Sequence, residues 1–146
     1  MNITEDYVSF EIAKLLKEKG FDEKCQKVYM HNGQLLWAQI FMEGETFVDN
    51  KCVEAVANYN DWITHTQGEY AYLCPTLQMA MKWLREIHKL DIDVSIEYKN
   101  SKKVYYYSIL KKTVIRDIDC LHSETNFDSY EVACEAAIKY CLENLI

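Results

Sequence analysis

The sequence predicts an α+β domain in which helices pack on one face of a mainly antiparallel sheet. Apolar residues recur at helical spacing in three segments, two segments alternate as strands do, and turn residues separate the strands that would pair. The 146 residues suit one domain spanning residues 1–146. Their 49% hydrophobic content, with four glycines and one proline, is typical of an ordered chain. The predicted order is helix, hairpin, an unassigned segment, helix, hairpin, helix.

The first helix is predicted from a cap, a stripe and a stop. Thr4 is a candidate N-cap, and Gly20 suits a left-handed C-terminal stop with Phe21 folding back on the last turn. Lysines gather toward the end of the segment, where a helix carries partial negative charge. The predicted buried stripe consists of Val8, Ile12, Leu15 and Leu16.

A hairpin over residues 28–42 follows, because Asn32-Gly33 lies between two apolar-rich runs. This dipeptide is typical of a tight two-residue turn. The pattern from residue 43 to residue 73 is weaker. It indicates a turn at 43–45, a short strand near Phe47, a short helix over 50–59 and a strand over 70–73.

The central segment, Pro75 to Tyr98, predicts a helix that continues almost without a loop into a strand. Thr76 is the candidate N-cap, and the period then changes from helical to alternating after Leu90. The predicted buried helix face consists of Leu77, Ala80, Met81, Leu84 and Ile87, widened by Met79 and Trp83. The apolar side of the strand, which we expect to face the interior, consists of Ile92, Val94, Ile96 and Tyr98.

The last third predicts a second hairpin and a closing helix. Residues 99–102 form the turn, residues 103–111 the return strand, and residues 113–122 contain a further strand. Asp128 is the candidate cap of the last helix, with Phe127 and Val132 as a hydrophobic staple. The predicted inner stripe consists of Tyr130, Cys134, Ala137, Ile138, Cys141 and Leu145.

Charge is the feature that stands out. The chain has a net charge of −7, yet six basic residues and no acidic one lie between Tyr98 and Arg116. Tyrosines among lysines on a strand can stack bases and contact phosphates. The competing interpretation is that these lysines guard a sheet edge and that the acidic residues after Arg116 neutralise them. The candidate binding surface consists of Lys102, Lys103, Tyr105, Tyr106, Tyr107, Lys111, Lys112 and Arg116.

Catalytic and metal-binding patterns are weak. Cys120-Leu121-His122 is the nearest approach to a ligand pair, without a C-x-x-C or H-E-x-x-H motif, so we predict no metal and no cofactor. The four histidines are dispersed, and we assign no catalytic residue. A small Cys/His enzyme stays open, because such pairs form in space rather than in sequence.

Compartment is predicted from what the chain lacks. The six cysteines have no paired framework, the N-terminus lacks the apolar core of a signal peptide, and no apolar run is long enough to span a membrane. We therefore expect reduced thiols in a cytoplasmic protein.

Three stretches, TEDYVSFEIAKLLKEKGFDE, PTLQMAMKWLREIHKLDIDV and SYEVACEAAIKYCLENLI, resemble a group of small uncharacterised proteins. These are encoded in gut-bacterial genomes and in the phages and mobile elements that those genomes carry. The resemblance covers the first helix, the central helix and strand, and the last helix. It implies a cytoplasmic accessory protein of phage or mobile-element origin, without an assigned activity.

Three functions follow as hypotheses. The first is a non-enzymatic protein-interaction module that works through its sheet and loops, with another protein or with a second copy as its partner. The second is single-stranded nucleic-acid binding through the hairpin at 98–116. The third is the Cys/His enzyme.

Overall fold

The computed structural model describes residues 3–42, 51–54, 56–62, 70–111, 119–122 and 126–146. Within these ranges the chain has the predicted α+β class, and every strand pair is antiparallel. None of the described helices combines the length and apolarity needed to cross a bilayer. The chain divides into two compact units, one formed by Ser9–Pro75 and the other by residues 1–8 with Thr76–Ile146. The single domain over residues 1–146 stays a prediction.

The unit formed by Ser9–Pro75 contains two helices and five strands among its described residues. These are α1 (Phe10–Glu18), β1 (Lys27–Met30), β2 (Leu35–Trp37), β3 (Gln39–Met42), β4 (Lys51–Glu54), α2 (Tyr59–Trp62) and β5 (Tyr70–Cys74). One sheet has the strand order β2-β1-β5, and α1 packs against β5. Strands β3 and β4 form a separate two-stranded sheet.

Helix α1 begins later than the sequence predicts. Its N-cap is Ser9, whose hydroxyl accepts a hydrogen bond from the Ile12 N–H at 3.3 Å. The cap prediction for Thr4 is wrong because the helix begins only at Phe10, and Tyr7 forms an antiparallel bridge with Thr76 instead of a helical turn.

The predicted stop of α1 is confirmed. Gly20 has φ +88°, its N–H donates to the Lys17 carbonyl at 3.1 Å, and the Phe21 N–H donates to the Leu16 carbonyl at 2.9 Å. These two bonds make a Schellman motif, which needs a residue that tolerates positive φ. Phe21 is 1% exposed.

The first hairpin is present with a different turn. The Gly33 N–H donates to the Met30 carbonyl at 3.0 Å, and the Met30 N–H donates to the Gln34 carbonyl at 2.9 Å. Gly33 has φ +84° while Asn32 does not have positive φ. The loop is therefore a three-residue type I turn closed by a left-handed glycine, and the predicted two-residue turn is wrong.

The short helix predicted over residues 50–59 is also wrong. Residues 51–54 form β4, which pairs with β3 in the register Ile40↔Val53 and Phe41↔Cys52. Four apolar residues are too few to separate a helical period from a strand, and pairing with β3 decides between them. The strand predicted at 70–73 is confirmed as β5. The predicted turn at 43–45 and strand near Phe47 lie outside the described residues.

The second unit carries two long helices on a three-stranded sheet. The elements are α3 (Leu77–His88), β6 (Leu90–Lys99), β7 (Lys102–Lys111), β8 (Asp119–His122) and α4 (Tyr130–Asn144). The sheet has the order β6-β7-β8. Helices α3 and α4 pack against each other and against β6, and α4 also packs against β7.

Helix α3 matches the prediction at both ends. Thr76 is the N-cap and accepts the Met79 N–H at 3.2 Å. Lys89, with φ +58°, is the only residue between α3 and β6. The predicted burial of Ile87 is wrong, since its side chain is 59% exposed. The buried face turns instead toward Trp83, and it consists of Leu77, Ala80, Met81, Trp83 and Leu84.

Helix α4 begins one residue later than predicted. Its cap is Ser129, whose hydroxyl accepts the Val132 N–H at 3.1 Å, and Asp128 accepts a hydrogen bond from Lys102 instead. Val132 is 52% exposed, so the predicted staple with Phe127 is wrong. Tyr130 is 37% exposed at the edge of the stripe. The buried face consists of Ala133, Cys134, Ala137, Ile138, Cys141 and Leu142.

The two candidate caps of α4 give a direct test. We expect Ser129→Ala to lower the free energy of unfolding by about 1 kcal/mol, because the Val132 N–H loses its partner. Asp128→Ala should leave stability nearly unchanged, because an exposed ion pair contributes little. Urea unfolding followed by circular dichroism measures both. A larger loss for Asp128→Ala than for Ser129→Ala would contradict the assignment of Ser129 as the cap.

Candidate interaction surface

The hairpin of β6 and β7 is the longest ladder that the structure describes. It holds ten residue pairs, from Leu90↔Lys111 to Lys99↔Lys102, without a register shift. Asn100 and Ser101 close it with φ +48° and +64°. Positive φ at both central residues defines a type I′ turn, whose twist matches that of the strands it joins. The ladder therefore runs regularly to its tip.

Burial decreases steadily along the apolar side of β6. Leu90 is fully buried, Ile92 and Val94 are half-buried, Ile96 is 48% exposed and Tyr98 is 72% exposed. The prediction that Ile96 belongs to the buried interior is therefore wrong. An apolar stripe leaves the core and continues into solvent at the far end of the strand.

The difference in rise between helix and strand explains this exposure. The twelve residues of α3 span about 18 Å, whereas the ten residues of β6 span about 33 Å. Because a single residue joins the two elements, a helix that returns along the strand cannot reach its far end. The lengths of α3 and β6, which the sequence predicts, therefore indicate that the far end of β6 extends beyond the helix.

The outer edge of β6 has no strand partner among the described residues. The tip pair Lys99↔Lys102 is hydrogen-bonded as the ends of a β-turn, and bonded and non-bonded pairs alternate from there along the ladder. The pair Ile96↔Tyr105 is consequently non-bonded. The main chain of Tyr105 instead bonds Phe127 on the far side of β7, with N–O distances of 2.9 and 3.1 Å. The N–H and carbonyl groups of Val94, Ile96 and Tyr98 therefore point away from β7, toward the open edge.

The other side of β6 is charged. Asp91 lies 3.9 Å from Arg85, Glu97 lies 3.8 Å from Lys99, and Asp93 accepts a hydrogen bond from the Ser95 hydroxyl at 2.9 Å. All three carboxylates are exposed. Exposed pairs of this kind contribute little to stability, so these side chains can exchange partners at low cost.

We define the exposed end as the β6 tip: Val94, Ser95, Ile96, Glu97, Tyr98 and Lys99. It combines one apolar side, one charged side and one line of outward-pointing main-chain groups. The predicted basic hairpin, residues 98–116, includes Tyr98 and Lys99 of the β6 tip, but the candidate binding surface drawn from it contains none of the tip residues.

The predicted binding surface on β7 is divided by the structure. Lys102 is bonded to Asp128 at 2.8 Å, a hydrogen bond that raises the pKa of Lys102 and lowers that of Asp128. Lys103 lies 5.1 Å from the centre of the Tyr105 ring. Part of the basic charge is thus compensated within the chain, as the competing interpretation expected.

The three consecutive tyrosines have different environments. Tyr107 is 9% exposed and stacks on Phe127 with ring centres 5.8 Å apart, so its ring is not accessible to a base. Tyr105 and Tyr106 are half-buried, as is Lys111. Lys112 and Arg116 lie outside the described residues.

The buried thiols are poor nucleophiles. Burial raises the pKa of Cys25 to about 12, that of Cys134 to about 11 and that of Cys141 to about 12. Cys120, in contrast, is exposed on β8. Across the described ranges, no group of three or more His, Cys, Asp or Glu side chains could hold a metal ion.

A surface depression lies where α3 and α4 begin. It has a volume of about 270 Å³ and is lined by Thr4, Glu5, Asp6, Thr76, Leu77, Gln78, Tyr130 and Glu131. Three of its polar residues already serve the fold: Thr76 caps α3, and the Gln78 amide donates to the Tyr130 hydroxyl at 3.5 Å.

Comparisons with protein-family models, with curated proteins and with solved structures find no match to this chain. The resemblance to proteins of gut bacteria and their phages therefore stays a prediction. The proposed function therefore comes from the geometry of the β6–β7 hairpin.

The contrast among the thiols predicts selective labelling. At pH 8 we expect Cys120 to react rapidly with a disulfide reagent, while Cys25, Cys134 and Cys141 react slowly because burial disfavours their thiolates. Cys120→Ser should remove one equivalent from the fast phase, and Cys141→Ala should leave that phase unchanged. Absorbance of the released chromophore measures both. A fast phase that survives Cys120→Ser intact would contradict the assignment.

Proposed function

We propose that this protein is a non-enzymatic interaction module that offers the β6 tip to another polypeptide. The single observation that carries the proposal is the exposure of Ile96 and Tyr98 on a strand whose outward main-chain groups have no strand partner among the described residues. Adding a strand to such an edge is a common mode of protein recognition.

The energetics favour occupation of this edge. Burying an aliphatic or aromatic side chain contributes about 1.5 to 3 kcal/mol, and each main-chain hydrogen bond contributes about 1 kcal/mol. Edge strands that do not pair with another chain are commonly short, bulged or interrupted by proline. β6 has ten residues in regular register and no proline. At its exposed end, the charged residues that would discourage pairing with another strand are Glu97 and Lys99. Both lie on the charged side of β6 only.

The resemblance noted above supplies the biological setting of the proposal. It implies a cytoplasmic accessory protein of phage or mobile-element origin, and such a role is compatible with recognition rather than catalysis.

The enzyme alternative receives less support. Raised pKa values keep the thiols of Cys25, Cys134 and Cys141 protonated near neutral pH, so these residues lack the thiolate that nucleophilic catalysis needs.

The nucleic-acid alternative loses two of its contacts, since Tyr107 is buried and Lys102 binds Asp128. We expect no saturable change in fluorescence anisotropy when the chain is titrated into labelled single-stranded RNA or DNA at low salt, where phosphate contacts are strongest. Saturable binding that weakens steeply with salt and is abolished by Lys103→Ala would favour this alternative over the proposed function.

A photo-crosslinking amino acid at the β6 tip tests the proposal. We expect benzoylphenylalanine in place of Tyr98 to form covalent adducts with polypeptide in cells that contain the chain's natural partners. The same group in place of Tyr140, which is 38% exposed on α4, serves as the control and should form none. Gel mobility and mass spectrometry identify the adducts.

The adducts must also depend on the edge itself. Ile96→Asp in the same chain should abolish them, because a carboxylate cannot be buried in an apolar contact without a partner. Absence of adducts at Tyr98, or equal yields at Tyr98 and Tyr140, would refute the proposed function.

A further inference from the structure

We propose that the occupant of the β6 tip is a second copy of this chain, paired antiparallel in one register with Ile96 on the two-fold axis. This inference rests on the proposed function and adds the identity of the partner. It follows from the charge pattern of β6 together with the symmetry that two identical edges must obey.

Symmetry limits the possible registers. Two identical edge strands pair antiparallel through a two-fold axis normal to the sheet, so residues of the same side face each other and one residue meets its own copy. Choosing that central residue fixes the whole register.

Repulsion between the acidic residues of β6 disfavours nearly every choice of central residue. A centre at Val94 places Asp91 opposite Glu97, and a centre at Ser95 places Asp93 opposite Glu97, each pair occurring twice. Centres at Asp91, Ile92, Asp93 and Glu97 likewise oppose acidic residues, and a centre at Tyr98 pairs only three residues of each strand. Like charges directly opposite each other destabilise a sheet.

Only the centre at Ile96 gives complementary charges over the length of the tip. It places Asp93 opposite Lys99 of the second copy, twice, and Ser95 opposite Glu97, twice. Lys99 now lies opposite Lys102 within its own hairpin. In this register Lys99, which already lies 3.8 Å from Glu97 of its own chain, gains the Asp93 carboxylate of the second copy on its other side.

The same register satisfies the main chain. Ile96 faces Ile96, and Val94 faces Tyr98, so the three residues of the β6 tip with outward-pointing groups all fall in hydrogen-bonded pairs. These pairs hold six hydrogen bonds across the two-fold axis.

The apolar side is completed as well. Within each hairpin Ile96 lies beside Tyr105, and Val94 lies beside Tyr107. Pairing therefore builds a continuous row of Tyr105, Ile96, Ile96 and Tyr105 across the two copies. Tyr98, the most exposed apolar residue of β6, comes to lie next to Val94 of the second copy, where α3 and α4 begin to cover the strand.

Sedimentation and a charge exchange test the pairing. We expect the chain to sediment as a dimer at about 100 µM. Asp93→Lys should raise the dimer dissociation constant about tenfold, since two attractive cross-strand pairs become repulsive. Adding Lys99→Asp to that variant should restore the original constant. Ile87→Asp, at a residue of α3 whose side chain is 59% exposed, is the control and should leave the dimer intact.

Disulfide trapping tests the register independently of the charges. Hydrogen-bonded partners have Cα atoms about 5.5 Å apart, within the range that a disulfide spans. In a Cys120→Ser background, we expect Ile96→Cys to form a covalent dimer on mild oxidation. Ser95→Cys and Glu97→Cys should not, because neither residue faces its own copy.

The outcomes separate this inference from the proposed function. A monomer at about 100 µM, with adducts at Tyr98 that contain a different protein, would overturn the dimer and leave the interaction module standing. Efficient trapping at Ser95 or Glu97, or failure of the charge exchange to restore affinity, would overturn the register.

Discussion

The direct connection between α3 and β6 is the constraint on which the second unit depends. One residue, Lys89, reverses the chain in the left-handed conformation. Because no loop separates the two elements, the position of α3 along β6 is fixed. The residue of β6 beyond which the helix no longer covers the strand is fixed with it. A helix advances less than half as far per residue as a strand does. Leu90 is consequently sealed in the core while Tyr98, eight residues later, lies in water.

Much of the fold could be predicted because its signals are local. The Gly20 stop, the Thr76 cap and the alternation of β6 each depend on residues within one or two turns of each other. The wrong caps share one cause. Ser9 and Ser129 each lie close to another residue able to cap, and contacts distant in sequence decide between them. Near Thr4, the chain is engaged by the bridge from Tyr7 to Thr76. Asp128 is engaged by Lys102 from a different element.

The candidate site was predictable only in part. The basic run was visible in the sequence, but its compensation by Asp128 and the burial of Tyr107 against Phe127 required the approach of a segment about twenty residues away. The exposed apolar end of β6 was missed because alternation indicates which residues share a side and carries no information about how far the cover extends. Ile92 and Ile96 have the same pattern, yet one is half-buried and the other is largely exposed.

The type I′ turn at Asn100 and Ser101 has a consequence for folding kinetics. Closing a two-residue turn costs little chain entropy, and each further pair of the ladder closes from its neighbour. The hairpin can therefore form before α4 has been synthesised, when the bridge from Tyr105 to Phe127 is still missing. During that interval both edges of the hairpin lack a strand partner. The nascent chain is then most exposed to incorrect pairing with other chains that are being translated from the same messenger RNA.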